Sequence, residues 1–221
     1  MTDKIFKIEE FVKSVAITKP AHGYDHTNRV RNWALKIAKL ENYQNLEILE
    51  AAALLHDVGR SDDSKPGQSH GETGAKIAKE FLKKENLFSE IEIEEICLAI
   101  FYHNSVKEIR SDLLNIVRDA DILDLVGAVG ILRTAAAENQ KVTYDFHYPK
   151  GEEWGKSAAT ISEKYQGKFG TWPTLPDQIN FQISCFGNIK TYSAQEIARP
   201  KVEFMKNFLI ELEIEAHENL K

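Results

Sequence analysis

The stretch AAALLHDVGR, residues 51–60, places five apolar residues directly before an adjacent imidazole and carboxylate, His56 and Asp57. Burying such polar groups without partners carries a large free-energy cost. The apolar residues indicate a buried segment. We therefore expect other parts of the chain to bring partners to His56 and Asp57.

Helical periodicity extends outward from this stretch in both directions. From residue 4 to about residue 140, apolar residues recur three and four apart, as in Val30, Ala34 and Ile37. No convincing alternation of apolar and polar residues occurs, so we expect few or no strands. The sequence predicts an all-α fold, and its 221 residues are compatible with one helical-bundle domain over 1–221.

The segment 141–192 differs from the rest because aromatic, Gly and Pro residues are dense and the helical period is weak. We expect an irregular, lid-like insertion with one helix near 155–166. Its aromatic residues either cover a pocket and stack on a base or form a small satellite core. They are Tyr144, Tyr148, Trp154, Phe169 and Trp172. A closing helix is predicted at 194–215, with Phe204, Phe208, Leu209 and Leu212 on its apolar side.

Extending each helical stripe by one to two turns reaches an ionisable side chain, because residues three, four and seven apart share a helix face. A lone histidine on such a face is usually a satisfied core residue. Several such groups together are better explained by a cation that coordinates nitrogen and oxygen at once. The six groups are His26, His56, Asp57, His70, His103 and Asp121.

Composition limits the environment and the partners. The net charge is −6, which argues against binding of long nucleic acid. The two cysteines, Cys97 and Cys185, are far apart and form no CxxC pair, so neither a disulfide framework nor a zinc ribbon is indicated. No run approaches the roughly 18 apolar residues of a membrane span. We expect a cytoplasmic protein that does not insert into membranes.

The order of these groups resembles the HD superfamily of metal-dependent phosphohydrolases, in particular its bacterial and archaeal single-domain members. The similar segments are AHGYDHTNRV, LLHDVGR, SHGETGAKIAKEFL, AIFYHN and VRDADILDLVGAVGILR. The likeness covers about 20–140 well and is looser for the closing helix. Residues 145–190 match none of the superfamily's motifs.

The resemblance implies a primary metal site and a possible second one. The primary ligands would be His26, His56, Asp57 and Asp121, around manganese, magnesium, iron, nickel, cobalt or zinc. His70 and His103 take the places of the two further histidines of two-metal members. They would hold a second ion, or else donate to phosphate or act as a general acid beside the catalytic Asp57.

Four residues are candidates for substrate binding and one for supporting a ligand. Arg60 and Lys65 follow the HD pair, Arg29 lies one turn past His26, and a cation in these places can hold a phosphate oxygen. His22 would be a further ligand, a substrate contact or solvated. Asp124 would orient a ligating histidine, or else be a charge on the helix surface.

The implied function is hydrolysis of a phosphoester or phosphoanhydride, most simply of a nucleotide, by attack of a metal-bound hydroxide. Two alternatives remain open on the residues alone. The first is a mixed-valence di-iron oxygenase, because HD-fold oxygenases share the ligand order His, His-Asp, His, His, Asp. The second is a nucleotide-binding sensor that holds the metal without turnover.

Overall fold

The computed structural model describes residues 2–16, 22–60, 69–105, 107–137, 141–165 and 172–218. Within these ranges the chain forms helices and no strand, apart from an isolated bridge between Val142 and Thr174. The prediction of an all-α fold is confirmed. The helices are α1 (Asp3–Val15), α2 (Tyr24–Leu40), α3 (Leu46–Leu55), α4 (His70–Lys84), α5 (Glu90–Tyr102), α6 (Asp112–Leu125), α7 (Ala128–Ala137), α8 (Ala158–Lys164), α9 (Leu175–Ser184), a short 3-10 helix (Cys185–Asn188) and α10 (Tyr192–Glu218).

The chain folds as two compact units, and the first comprises Met1–Asp121 with Lys190–Ser193. Its central helix is α3, which contacts α1, α2 and α5. Every residue of the stretch Ala51–Leu55 is buried. A helix that is apolar on all sides requires neighbours all round it. The run that opens AAALLHDVGR therefore dictates the central place of α3.

Close packing of α4 on α5 depends on glycine and on well-capped helix starts. A Cβ atom at Gly71 would lie 2.5 Å from the Phe101 carbonyl oxygen, so only glycine permits this approach. The Ser69 hydroxyl accepts from the Glu72 amide at the start of α4. Ser89 and Glu92 form a capping box at the start of α5. The sequence thus fixes both helices where they begin.

The second unit comprises Ile122–Ile189 and Ala194–Lys221. The helix expected near 155–166 is present as α8, but α9 was not predicted. Three buried polar residues of α9, Asp177, Asn180 and Gln182, mask its apolar period. The start of α9 could have been predicted, because Thr174 is an N-cap whose hydroxyl accepts from the Asp177 amide and Pro176 lies in the first turn.

The closing helix α10 matches its predicted position, but its predicted apolar face is correct only in part, because Leu209 is buried and the two phenylalanines are not. Phe204 and Phe208 are 50% and 40% exposed. The buried stripe is built mainly from smaller or flexible residues: Ala194, Ala198, Val202, Met205, Leu209 and Ala216. No described helix is both long and apolar enough to cross a membrane. A single domain over residues 1–221 stays a prediction.

Candidate metal centre

Two histidines are presented in the same way, each directly after the last residue of a buried helix. His56 follows α3, and its Nδ1 lies 2.8 Å from the Ala53 carbonyl oxygen. His103 follows α5, and its Nδ1 lies 2.7 Å from the Ile100 carbonyl oxygen. A carbonyl oxygen can only accept, so Nδ1 carries the proton in both rings. In the neutral form of such a ring, the Nε2 lone pair points outward.

The first turn of α2 brings His26 to His56. The Nε2 atoms of these two buried rings lie 3.3 Å apart. His26 Nε2 is also 3.5 Å from Asp121 Oδ1 and 3.6 Å from Asp57 Oδ2. His56 Nε2 is 3.7 Å from the same Asp57 oxygen. The four predicted primary ligands thus converge on one point within the first unit.

The first residue of α4, His70, reaches the other side of Asp57. A Cβ atom at Gly59 would lie 2.1 Å from the His70 carbonyl oxygen and 2.3 Å from the Gly74 amide nitrogen. Glycine at 59 therefore lets the turn after α3 touch the start of α4. His70 Nε2 and His103 Nε2 are 3.1 Å apart, and each is 3.5 Å from Asp57 Oδ1.

Asp57 thus divides the cluster into two groups, one for each carboxylate oxygen. Oδ2 faces His26 and His56, whereas Oδ1 faces His70 and His103. Ligand atoms about 2.1 Å from one ion, at right angles, are about 3 Å apart. The separations within both groups are close to this spacing. His26, His56 and Asp121 bring three candidate ligand atoms within 4.8 Å of one another, and so do Asp57, His70 and His103.

Asp57 Oδ1 provides the test of whether this donor set fits a cation. The atom is buried and accepts no hydrogen bond from any described residue. Because His103 Nδ1 donates to the Ile100 carbonyl oxygen, the Nε2 lone pair of a neutral His103 would repel Asp57 Oδ1 unless a positive charge lay between them. A divalent cation satisfies these two atoms and His70 Nε2 at once. The residues present therefore fit a metal site.

Protonation states in the cluster agree with this fit. Removal from water lowers the pKa of His56 to about 4, and burial with the charge of Arg60 lowers the pKa of His70 to about 3. Burial opposes ionisation of Asp57, yet His56 and Arg60 hold its pKa well below the usual range. Neutral imidazoles beside ionised carboxylates are the forms that bind metals. A histidine neutral at pH 7 suits a ligand role better than general acid catalysis.

Two of the four predicted substrate residues, His22 and Arg60, lie at the metal-ligand cluster. His22 Nδ1 is 3.2 Å from Asp57 Oδ2, so His22 joins the cluster while remaining one-third exposed. Arg60 Nε is 2.7 Å from the same oxygen. Arg29 is half-buried on α2, and its role stays a prediction. Lys65 lies outside the described residues.

Asp124 is buried rather than a surface charge, and its carboxylate binds Arg133 Nη1 at 2.6 Å. The rings of His56 and His103 are instead oriented by carbonyl oxygens of their own helices. A supporting role for Asp124 toward a ligand stays a prediction.

Sequence reasoning assigned no role to three side chains around the cluster. The Asn104 amide nitrogen lies 3.2 Å from ring nitrogens of His70. Asp119 accepts from the Lys190 and Thr191 amides just before α10. Arg118 donates to carbonyl oxygens of the last residue of α5, Tyr102, and of the following turn. The available signals were adjacency: Asn104 follows His103, and Arg118 and Asp119 precede Asp121 in RDAD.

The aromatic segment contains a small core of its own. Trp172 is buried and stacks on Phe181, with ring centroids 4.9 Å apart, and Tyr165 packs against its edge. Tyr148 is 56% exposed and Trp154 is half-buried. Phe169 lies outside the described residues. For Trp172 the structure therefore agrees with the satellite-core alternative.

Comparison with known families identifies this arrangement. Residues 23–125, from α2 through α6, match the HD domain family. The chain therefore contains an HD domain. The matched range contains the four predicted primary ligands, and HD domains bind divalent metals. The fold and the site support a metal-dependent phosphohydrolase in general.

Several solved structures resemble the chain over almost its full length. A Lactobacillus plantarum protein is 22% identical with a TM-score of 0.74, and 97% of each chain is covered. Bacillus subtilis YpgQ, solved in complex with ADP, is 24% identical with a TM-score of 0.64, covering 96% of this chain and 94% of YpgQ. An HD-superfamily hydrolase from Bacillus thuringiensis is 25% identical with a TM-score of 0.64, covering 95% and 94%.

A curated relative also matches in sequence. Uncharacterized protein L803 of Acanthamoeba polyphaga mimivirus is 33% identical over 153 residues, which are 62% of this chain. The match spans 61% of the length of that viral protein.

Proposed function

We propose that this HD-domain protein hydrolyses a phosphoester or phosphoanhydride bond of a nucleotide. The observation that carries the proposal is the division of the cluster by Asp57, with imidazole nitrogens facing both carboxylate oxygens. Phosphoryl transfer needs fixed positive charge near the attacking and leaving oxygens more than it needs a covalent protein intermediate. Ligand groups on both sides of one carboxylate can position such charge.

The chain offers two sets of ligands that share Asp57. The Oδ2 side would hold one ion with His26, His56 and Asp121. The Oδ1 side would hold a second ion with His70 and His103. A divalent cation supplies the charge that lowers the pKa of water and neutralises phosphate oxygens. The histidines would fix the positions of the ions, because the ends of their helices hold the Nε2 atoms of His56 and His103 in place.

Arg60 is the side chain best placed to hold the substrate phosphate. Its side chain is 29% exposed, so it borders both the cluster and solvent. The guanidinium lies beside Asp57 Oδ2, an oxygen to which a cation would bind in its place. Arg60 can then turn to a phosphate oxygen, for which guanidinium is well suited. His22, Arg29 and Lys65 complete the proposed substrate side.

The nucleotide part of the proposal is supported by one relative. YpgQ was solved in complex with ADP and shares the fold over nearly the whole chain. A nucleotide with a di- or triphosphate offers charged oxygens to the ions and to Arg60. The proposed partner is therefore a small phosphorylated molecule rather than a long nucleic acid or a membrane. We propose a cytoplasmic location for this activity.

A metal add-back assay tests the proposal. Metal-free protein is supplied separately with manganese, magnesium, nickel and cobalt, and nucleoside triphosphates, diphosphates, cyclic nucleotides and a generic phosphodiester are offered. We expect metal-dependent release of phosphate, pyrophosphate or nucleoside monophosphate, which Asp57→Ala abolishes. Activity unchanged in Asp57→Ala, or tight nucleotide binding without any product, would overturn the proposal. The latter result would indicate a sensor.

The shared carboxylate also favours a second candidate, a di-iron oxygenase. Two irons could likewise be held by the histidines on the two sides of Asp57. The distinction is measurable on protein as isolated. Two irons per chain with an EPR signal from a coupled iron pair would support the oxygenase. A colourless protein that contains no iron would support the hydrolase.

A further inference from the structure

We infer that Arg118, to which neither the metal site nor substrate binding assigns a role, is a positioning residue that sets the separation of the two cation sites. It rests on the proposed function, because it requires two ions. Arg118 lies on α6, one helical turn before Asp121. The side chain is buried, with an exposed fraction of 9%.

All the hydrogen bonds of Arg118 to described residues end on backbone carbonyl oxygens. Nη2 donates to Tyr102 at 2.9 Å, to Ser105 at 2.7 Å and to Lys107 at 3.0 Å. Nε also donates to the Tyr102 oxygen, at 3.2 Å. The last carbonyl groups of a helix have no partner inside that helix. Arg118 supplies partners to the end of α5 and to the turn beyond it.

The site of this attachment links it to the metal centre. Tyr102 is the last residue of α5, and His103 follows it immediately. His103 owes its ring orientation to the Ile100 carbonyl oxygen in the last turn of α5. Arg118 therefore joins the helix end that carries His103 to the helix that carries Asp121. These two residues belong to opposite sides of Asp57.

Asp119, the residue after Arg118, attaches α6 to the residues that precede α10. Asp119 accepts from the amides of Lys190 and Thr191 and from the Thr191 hydroxyl, at 2.6–2.9 Å for the shortest contact to each group. The hydrogen bonds of Asp119 given above therefore hold α6 at Lys190 and Thr191 and not at α5. The hydrogen bonds of Arg118 join α6 to Tyr102, the residue next to His103. Loosening Arg118 should shift His103 relative to Asp121 while α6 stays attached.

The test is a Mn²⁺ titration of metal-free, full-length protein by calorimetry, with EPR for a coupled manganese pair. The variant Arg118→Lys keeps the charge but replaces the forked donor with a point charge. We expect wild-type protein to bind two ions in two steps. In Arg118→Lys the second step should weaken by about 10-fold or more, the range for lost supporting contacts, while the first changes little. The coupled-pair signal should fall accordingly.

Arg31→Lys is the matched control. Arg31 joins α2 to Glu50 of α3 and Glu9 of α1, so it is another arginine that links helices, but it makes no described contact with α5. We expect no selective loss of the second ion in this variant. Equal weakening of both steps in Arg118→Lys, or wild-type affinity in both, would overturn the inference alone.

Two further outcomes are decisive. A wild-type protein that binds a single ion overturns both this inference and the two-ion form of the proposed function. If Arg118→Lys does not fold, Arg118→Gln is titrated instead and the same selective loss is expected. Failure of both variants to fold, while Arg31→Lys folds, would assign Arg118 to stability and overturn the inference.

Discussion

The two sides of the Asp57 carboxylate are built differently. Oδ2 faces the almost fully buried rings of His26 and His56, and Asp121 lies within 3.5 Å of His26. Oδ1 faces His103, which is equally buried, and His70, which is 20% exposed. The Oδ2 side therefore has a second carboxylate that the Oδ1 side lacks. Each side still has an edge open to solvent.

This difference implies two cation sites of unequal strength. Affinity for a divalent cation rises with the number of ligands and with their negative charge. The Oδ2 side offers four protein ligands and two carboxylates, whereas the Oδ1 side offers three ligands and shares its carboxylate. We expect the first ion to bind tightly on the Oδ2 side. The second would bind more weakly and exchange more readily.

Removing Asp57 should have the largest effect, because it is common to both sides. Asp57→Ala should lose both ions and at least about 100-fold in activity, more than the loss of a supporting contact costs. Elemental analysis and the add-back assay measure the two effects. The exposed Asp3→Asn serves as control and should retain both. Full metal content in Asp57→Ala would refute the shared-carboxylate arrangement.

Removing one histidine from each side should separate the two sites. His26→Gln should lose the tight ion, and with it most of the second. His103→Gln should keep one tightly bound ion and lose the weak one. Metal stoichiometry after dialysis measures this, together with activity at several manganese concentrations. High manganese should restore activity partly to His103→Gln but not to His26→Gln, and the reverse pattern would exchange the two assignments.

The members of the cluster were predictable from the sequence and its division by Asp57 was not. Helical spacing placed all six groups on or next to buried faces, and spacing survives folding because it is local. Only the family resemblance implied that His26, His56, Asp57 and Asp121 act as one primary site. The opposite orientations of the two Asp57 oxygens depend on the close approach of Gly59 to α4, which only the fold reveals. Buried polar residues hid α9 for a related reason, since the partners that satisfy them are distant in sequence.

Acid should destabilise the metal-free protein through its buried histidines. Since the pKa of His56 is about 4 in the folded state and about 6.5 in the unfolded chain, the unfolded chain binds more protons. The free energy of unfolding should therefore fall as pH is lowered from about 6.5 toward 4. His56 alone accounts for roughly 3 kcal/mol at most.

Thermal unfolding of the metal-free protein between pH 7 and pH 4 measures this effect. His56→Gln should flatten the dependence on pH, whereas the exposed His147→Gln should leave it unchanged. Stability that is constant over this interval in wild-type protein would contradict a neutral, buried His56. It would also remove the reason for expecting an open lone pair on its Nε2.

The smallest effect is expected at Arg60, which borders the Oδ2 side without being a ligand. Arg60→Gln should raise KM about 10-fold, as expected for loss of a guanidinium–phosphate contact worth about 1.4 kcal/mol, and leave metal content unchanged. Steady-state kinetics on the best substrate of the add-back assay, with Arg110→Gln as an exposed control, measures it. If Arg60→Gln instead changed metal affinity and left KM unaltered, Arg60 would serve Asp57 rather than the substrate. Arg60 would then balance the charge of Asp57 on the Oδ2 side, and the substrate would enter from the Oδ1 side beside His70.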